Sequence, residues 1–180
     1  VALILAALLA AFGSLSIDGG LTPSTRVVTL PTAPSWASTV RVRVRHEVTS
    51  TFGWETDAFG LGATWNASAH VRAGWTLRAG GQSIAASRAA RVFETGGSAT
   101  AFDGSIDWDG PSGDSSTTVL DSASDWVFVP VGVPLEIATR AQTAVGIQIT
   151  ATTSNPPSGA TVMWLNRHEW SADVDFEFMP

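Results

Sequence analysis

The chain has no cysteine, no tyrosine and no lysine. Absence of cysteine excludes disulfide staples, thiolate metal sites and cysteine nucleophiles. Absence of lysine leaves all ten positive charges to arginine, which, with abundant Ala and Gly, reads as a GC-rich bacterial gene. Charge is scarce, at 14% of residues against 44% hydrophobic, so the chain is globular and not disordered. No apolar run reaches the roughly 20 residues that span a bilayer. The net charge of −6 argues against a nucleic acid or an anionic membrane as partner. At 180 residues there is room for one domain with a real core.

The longest apolar run opens the sequence, VALILAALLAAFGSLS. Val1 to Ala11 fits the hydrophobic region of a signal peptide, followed by small residues suited to cleavage near Ala11 to Ser16. Because the sequence opens on Val with no basic residues before the run, it reads as truncated inside that signal. The competing reading is a retained hydrophobic helix or donor strand of a pilus-like subunit. Either reading takes the protein out of the cytoplasm, to an extracellular or cell-surface location. The organisation expected is residues 1–16 as this hydrophobic segment, 17–24 as a linker and 25–180 as the folded domain.

Beyond the linker, apolar residues recur with period two. In Thr39 to Val48, Val40, Val42 and Val44 alternate with Arg41, Arg43 and Arg45. In Ser68 to Ala79, Ala69, Val71, Trp75 and Leu77 alternate with His70, Arg72, Thr76 and Arg78. In the closing segment, Trp170, Ala172, Val174, Phe176 and Phe178 alternate with Asp173, Asp175 and Glu177. Such alternation marks half-buried strands of antiparallel sheets. Further strands are expected at Arg26 to Leu30, Arg91 to Glu94, Ser105 to Trp108, Trp126 to Val129, Leu135 to Arg140, Ile147 to Thr152 and Thr161 to Leu165. Turn chemistry separates them at Ala79-Gly80-Gly81, Gly96-Gly97, Asp109-Gly110-Pro111, Gly132 to Pro134 and Asn155-Pro156-Pro157. Ser83 to Ala90 alone suggests a short helix or a loop. The fold class expected is all-β, a single antiparallel β-sandwich of jelly-roll-like order. Pairing the first long strand with the last would set three arginines opposite three acids. The alternative leaves both charge ladders solvated on separate sheets.

The stretch Ala101 to Ser116, AFDGSIDWDGPSGDSS, carries Asp103, Asp107, Asp109 and Asp114. Laid on an EF-hand template from Asp103, it puts Trp108 where the tight turn needs Gly, and Asp114 where a bidentate Glu belongs. The EF-hand fails. Three accounts remain: a short strand bounded by Asp-Gly turns, a calcium loop of another design, and an acid–base pair, which no nearby His, Tyr or Lys accompanies. With the blocks SDWVFVPVGVPLEIAT and ADVDFEFMP, this stretch resembles the choice-of-anchor E domains, secreted bacterial proteins associated with PEP-CTERM sorting signals. Phe102, Asp103, Gly104, Ile106, Asp107, Gly110, Ser112 and Gly113 carry the resemblance, with Phe176 and Phe178 in the closing strand. It implies an exported surface or matrix β-sandwich anchored by a C-terminal sorting signal, with no established catalytic residues.

Other chemistry is thin. His46 and His168 stand in repeated Arg-His-Glu tripeptides, zinc-compatible if brought together. But His46 shares a face with inward valines, which favours a structural imidazole, and His168 reads as the edge of a turn. No Gly-x-Ser-x-Gly elbow or phosphate-binding loop occurs, and a two-carboxylate glycosidase pair lacks companion residues. Trp36 and Trp54 read as loop tryptophans, placed either to stack on sugar rings or to fold onto the end of the sandwich. The expectation is a non-enzymatic protein with no cofactor, calcium being the one alternative. Its expected partner is an extracellular polysaccharide or cell-envelope component. Carbohydrate binding through Trp36 and Trp54, and self-association into a fibre through the N-terminus, are the competing functions.

Overall fold

The structure, a computed structural model, describes residues 11–59, 63–99, 104–106, 116–150 and 158–180. They form ten strands: β1 (Phe12–Leu21), β2 (Ser24–Val28), β3 (Thr39–Phe59), β4 (Ala63–Ala79), β5 (Gln82–Ala99), β6 (Gly104–Ile106), β7 (Ser116–Ala123), β8 (Val127–Pro130), β9 (Leu135–Thr150) and β10 (Ser158–Met179). No helix occurs among the described residues. Two antiparallel sheets pack face to face, as the sequence pattern predicts. Sheet A runs β1-β10-β3, with β8, β7 and β6 following one another along the far edge of β3. Sheet B runs β2-β9-β4-β5.

The order follows from folding the chain as one ribbon. At its tip, β4 turns into β5 through Gly80 and Gly81, whose φ values of 56° and 82° are left-handed and favour glycine. Going outward from the tip, β3 pairs with β6, β7 and β8, β2 with β9, and β1 with β10. Coiling the ribbon then lays β10 on β3 and β9 on β4, so each sheet alternates early and late strands. That is a jelly-roll order.

Alternation places the core. Val40, Val42, Val44, Val48, Phe52 and Trp54 of β3 face Ala67, Ala69, Val71, Trp75 and Leu77 of β4 across the sandwich, and all are buried. The strands are longer than their clearest patterns. The segment expected at Leu135 to Arg140 and the described part of that expected at Ile147 to Thr152 belong to β9, which joins them through Gly146 and is described to Thr150, and those at Thr161 to Leu165 and Trp170 to Phe178 are one β10. Ser83 to Ala90 is neither helix nor loop but the first half of β5, where the register with β4 overrides the helix preference of its alanines.

The linker expected at 17–24 is also overturned. Phe12–Leu21 is an edge strand paired with β10, and β2 begins at Ser24. The side chains of β1 and β10 are complementary in size. Gly13 lies opposite Phe176, Leu15 opposite Val174 and Ile17 opposite Ala172, while Gly19 sits under the indole of Trp170. A Cβ on Gly19 would come within 1.9 Å of the Trp170 ring. That ring cannot step aside, because its Nε1 donates to the Ser24 hydroxyl at 2.7 Å and its face stacks on His46.

On the outer face of sheet A the two charge ladders meet. Arg41, Arg43 and Arg45 stand in register with Glu177, Asp175 and Asp173. Arg41 reaches Glu177 at 2.5 Å, and Arg43 and Arg45 reach Asp175 at 2.8 and 3.1 Å. Burial alone would push the Asp175 carboxyl up. Hydrogen bonds from Arg43 and Ser14, with the charges of Arg45 and Arg43, outweigh burial and hold it below the usual carboxylate value. The Ser16 hydroxyl meets Asp173 at 2.6 Å, so β1 contributes to the polar face as well.

Two outcomes are expected in chemical denaturation. Gly19→Val should destabilise the protein by about 1–3 kcal/mol through overpacking against Trp170, and an unchanged midpoint would mean that β1 does not dock as described. Arg43→Glu should destabilise it, and adding Asp175→Arg should recover part of the loss. The coupling expected is roughly 0.5–1 kcal/mol, and strictly additive losses would rule out the cross-strand ladder.

Candidate functional site

His46 and His168 are interior groups. β3 keeps its even-numbered residues inward, so His46 follows Val44 into the space between the sheets and is 3% exposed. Its Nε2 meets the Thr139 hydroxyl of β9 at 2.9 Å, and its ring lies near the indoles of Trp170 at 5.4 Å and Trp75 at 5.9 Å. Trp75 Nε1 donates to the Ser122 hydroxyl on β7. One imidazole, two indoles and three hydroxyls thereby join β2, β3, β4, β7, β9 and β10. His168 is not at a turn. It lies within β10, buried, with Nδ1 at 2.8 Å from the Ser50 hydroxyl. In register, His168 stands opposite Ser50 and His46 opposite Ala172, four positions or about 13 Å apart along the strands. They share no metal, and no cluster of three ligating side chains occurs among the described residues.

Trp54 is a second correction. Because β3 continues to Phe59, Trp54 keeps the inward phase and is 1% exposed, a core residue closed to any ligand. Gly53 provides room for the Trp164 ring lying over it. Trp36 is 48% exposed in the segment between β2 and β3. Trp36 and Trp54 therefore form no common platform. Asp103, Asp107, Asp109 and Asp114 lie outside the described residues.

The chemistry open to solvent is on the two outer sheet faces. On sheet A, Trp126, the first residue of the strand expected at Trp126 to Val129, precedes β8 and lies over the guanidiniums of Arg41 and Arg43, 4.8 and 4.9 Å from its ring centre. Phe128, in register with Arg41, is exposed beside it. These cations already have carboxylate partners, so this face is largely neutralised within itself.

On sheet B the outward residues of three strands line an open groove of about 770 Å³. Gly74 of β4 lies at its middle, with Arg88 of β5 on one side in register and Arg140 of β9 on the other. Arg72 and Arg78 lie farther along β4 on the same outward phase, and all four arginines are exposed. Outward placement of Arg72 and Arg78 is legible in the alternation of β4. Their meeting with Arg88 and Arg140 depends on strand register, which no local pattern announces.

No protein-family model matches the chain, and no curated protein matches it. Two solved structures of infectious bursal disease virus align with 94% of this chain. The Gx strain structure gives 11% identity and a TM-score of 0.24, the Gt strain structure 11% and 0.15. This chain spans about two-fifths of each viral chain, 41% and 40%. Likeness at that level carries no argument about function.

The interior imidazoles do have a consequence for stability. Burial lowers the His46 value from the ordinary 6.5 to about 4, and lowers that of His168 in the same direction. Between those values the unfolded chain binds a proton at position 46 that the folded protein refuses. Stability should therefore fall as pH drops from about 6.5 toward 4. His46→Phe should make the dependence of melting temperature on pH shallower in that window. An identical slope in the variant would show that His46 is not the group being titrated.

Proposed function

We propose that this chain is a non-enzymatic β-sandwich that works outside the cytoplasm, at the cell surface or in the extracellular matrix, and presents its sheet faces to a polysaccharide or cell-envelope component. The observation that carries the reading is where the reactive side chains go. Both buried imidazoles are tied to hydroxyls between the sheets, and Trp54 is core. The polar and charged groups able to hold a ligand instead line broad, open sheet faces. Such faces suit an extended partner and offer no enclosed site for a reacting group. The apolar run before β1 and the resemblance to choice-of-anchor E domains support export.

The fit of β1 supports a specific processing site. A leader removed at or before Ala11 leaves all of β1, whereas removal after Ser16 would take Gly13 and Leu15 from beneath β10. The same fit favours self-association as a second reading, because β1 of a neighbouring copy presents the same glycines to Phe176 and Trp170.

Expression of the full gene in a bacterial host, with fractionation and N-terminal sequencing, tests both readings. The expected product is found outside the cytoplasm with its first residue no later than Phe12. Protein retained in the cytoplasm would overturn the export reading. A strictly monomeric product on a sizing column would remove the fibre reading.

A further inference from the structure

We infer that the outer face of sheet B is a binding site for an acidic polysaccharide. The inference deepens the surface-protein reading and rests on it for the choice of a glycan. The observation beneath it is the distribution of arginines. Arg41, Arg43, Arg45 and Arg167 stand in ion pairs with acids. Arg26 donates to main-chain carbonyls and Arg91 to the Thr118 hydroxyl. The remaining four, Arg72, Arg78, Arg88 and Arg140, have no acidic side chain within 4 Å among the described residues, and all four line the one groove. A protein of net charge −6 thus collects on a single face the four arginines that make neither an ion pair nor a side-chain hydrogen bond among the described residues. The nearest acid in register is Glu136, opposite Arg78.

The arrangement selects the ligand. Arg88 and Arg140 flank Gly74 from the two adjoining strands, about 10 Å apart, while Arg72 and Arg78 are about 20 Å apart along β4. A single small anion needs donors that converge, and these do not. A chain with repeated anionic groups can meet them in turn, each guanidinium gripping a carboxylate or sulfate with two parallel hydrogen bonds. The floor between them is Gly74, Ala86 and Ala138, low enough for a chain to lie close to the backbone. Gly74 also leaves space that a Cβ, 3.4 Å from the Arg88 Cγ, would begin to fill. Thr25, Thr76 and Gln142 add polar groups for sugar hydroxyls. No ring faces outward among the residues lining the groove, since Trp75 is turned into the core at 2% exposure. Neutral glycans and single-stranded nucleic acids, which are held by aromatic stacking, find no platform.

Affinity electrophoresis of the purified protein tests this with polygalacturonate and heparin as carboxylated and sulfated probes, and with dextran and single-stranded DNA as controls. Retardation by either acidic glycan, weakened by salt and absent with dextran and DNA, is the expected result. Which acidic probe binds identifies the anionic group. Arg88→Gln/Arg140→Gln should weaken binding at least about tenfold, while Arg45→Gln on sheet A should leave it unchanged. Arg72→Gln alone, with an unaltered melting curve, gives the same direction of change should the double variant fold poorly. No retardation by either acidic glycan would overturn the inference, as would equal retardation by dextran or DNA, or unchanged binding by the arginine variants. The assay uses no cells, so its failure leaves the export reading intact, and a failure of export leaves this result untouched.

Discussion

The pairing of β3 with β10 is the constraint on which the rest of the molecule depends. These are the two longest strands, 21 and 22 residues, and their antiparallel register runs from Thr39 opposite Met179 to Phe59 opposite Ser158. A slip of one residue would turn Arg41, Arg43 and Arg45 into the core and the valines out to water, a cost far above any surface ion pair. The charge ladder then acts on the solvent face, where a slip would set arginines opposite Val174 and Phe176. Register is therefore specified twice, once by burial and once by charge. Strands β6, β7 and β8 line up on one edge of this pair and β1 on the other, each taking its position from it.

The sandwich is held together across its interior by packing and by one polar cluster. A buried His is costly unless its nitrogens find partners. His46 spans the gap to the Thr139 hydroxyl on the opposite sheet, and the indoles around it donate outward to Ser24 and Ser122. A cluster of this kind is directional in a way that valines are not. It fixes the lateral placement of one sheet on the other, where apolar contacts alone would allow sliding. Trp170 joins this cluster to the edge, since the same ring that stacks on His46 covers Gly19 of β1.

The sequence was informative where alternation was unbroken and misleading where a small residue interrupted it. Strands β3, β4 and β10 announce their faces, and the cross-strand ladder follows from two runs of like charge with the same spacing. β1 went unread because Gly13, Ser14, Ser16 and Gly19 look like a cleavage region and a linker. Yet Leu15 and Ile17, with Ser14, Ser16 and Asp18 on the opposite face, carry a period-two phase that Gly13 and Gly19 only continue. Gly53 is a second case: Trp54 reads as a loop residue beside it, when Gly53 is a seat for an aromatic ring within β3. In each case the glycine was chosen for what lies across the sheet, and that information is held on a partner strand more than a hundred residues away. The jelly-roll order itself was an inference from strand number, and the ribbon that produces it is visible only in the pairings.

Alternation also separates the duties of the two surfaces of each sheet. Inward positions are bound by packing, so a change at Val44 or Trp75 is felt by both sheets. Outward positions answer mainly to their neighbours in the same sheet. Sheet A uses that freedom to neutralise itself: Arg41, Arg43 and Arg45 are answered by Glu177, Asp175 and Asp173, and Trp126 closes over two of the guanidiniums. Sheet B does not. Four arginines on β4, β5 and β9 stand about 10–20 Å apart across a floor of Gly and Ala, only Arg78 having an acid, Glu136, opposite it in register, and a fold gains nothing from their mutual repulsion, weak as it is at that distance. A few acidic residues at Ala86, Ala90 or Ala138 would relieve it without touching the core. Their absence on a chain with sixteen acidic residues is what separates this face from the ladder on the other side.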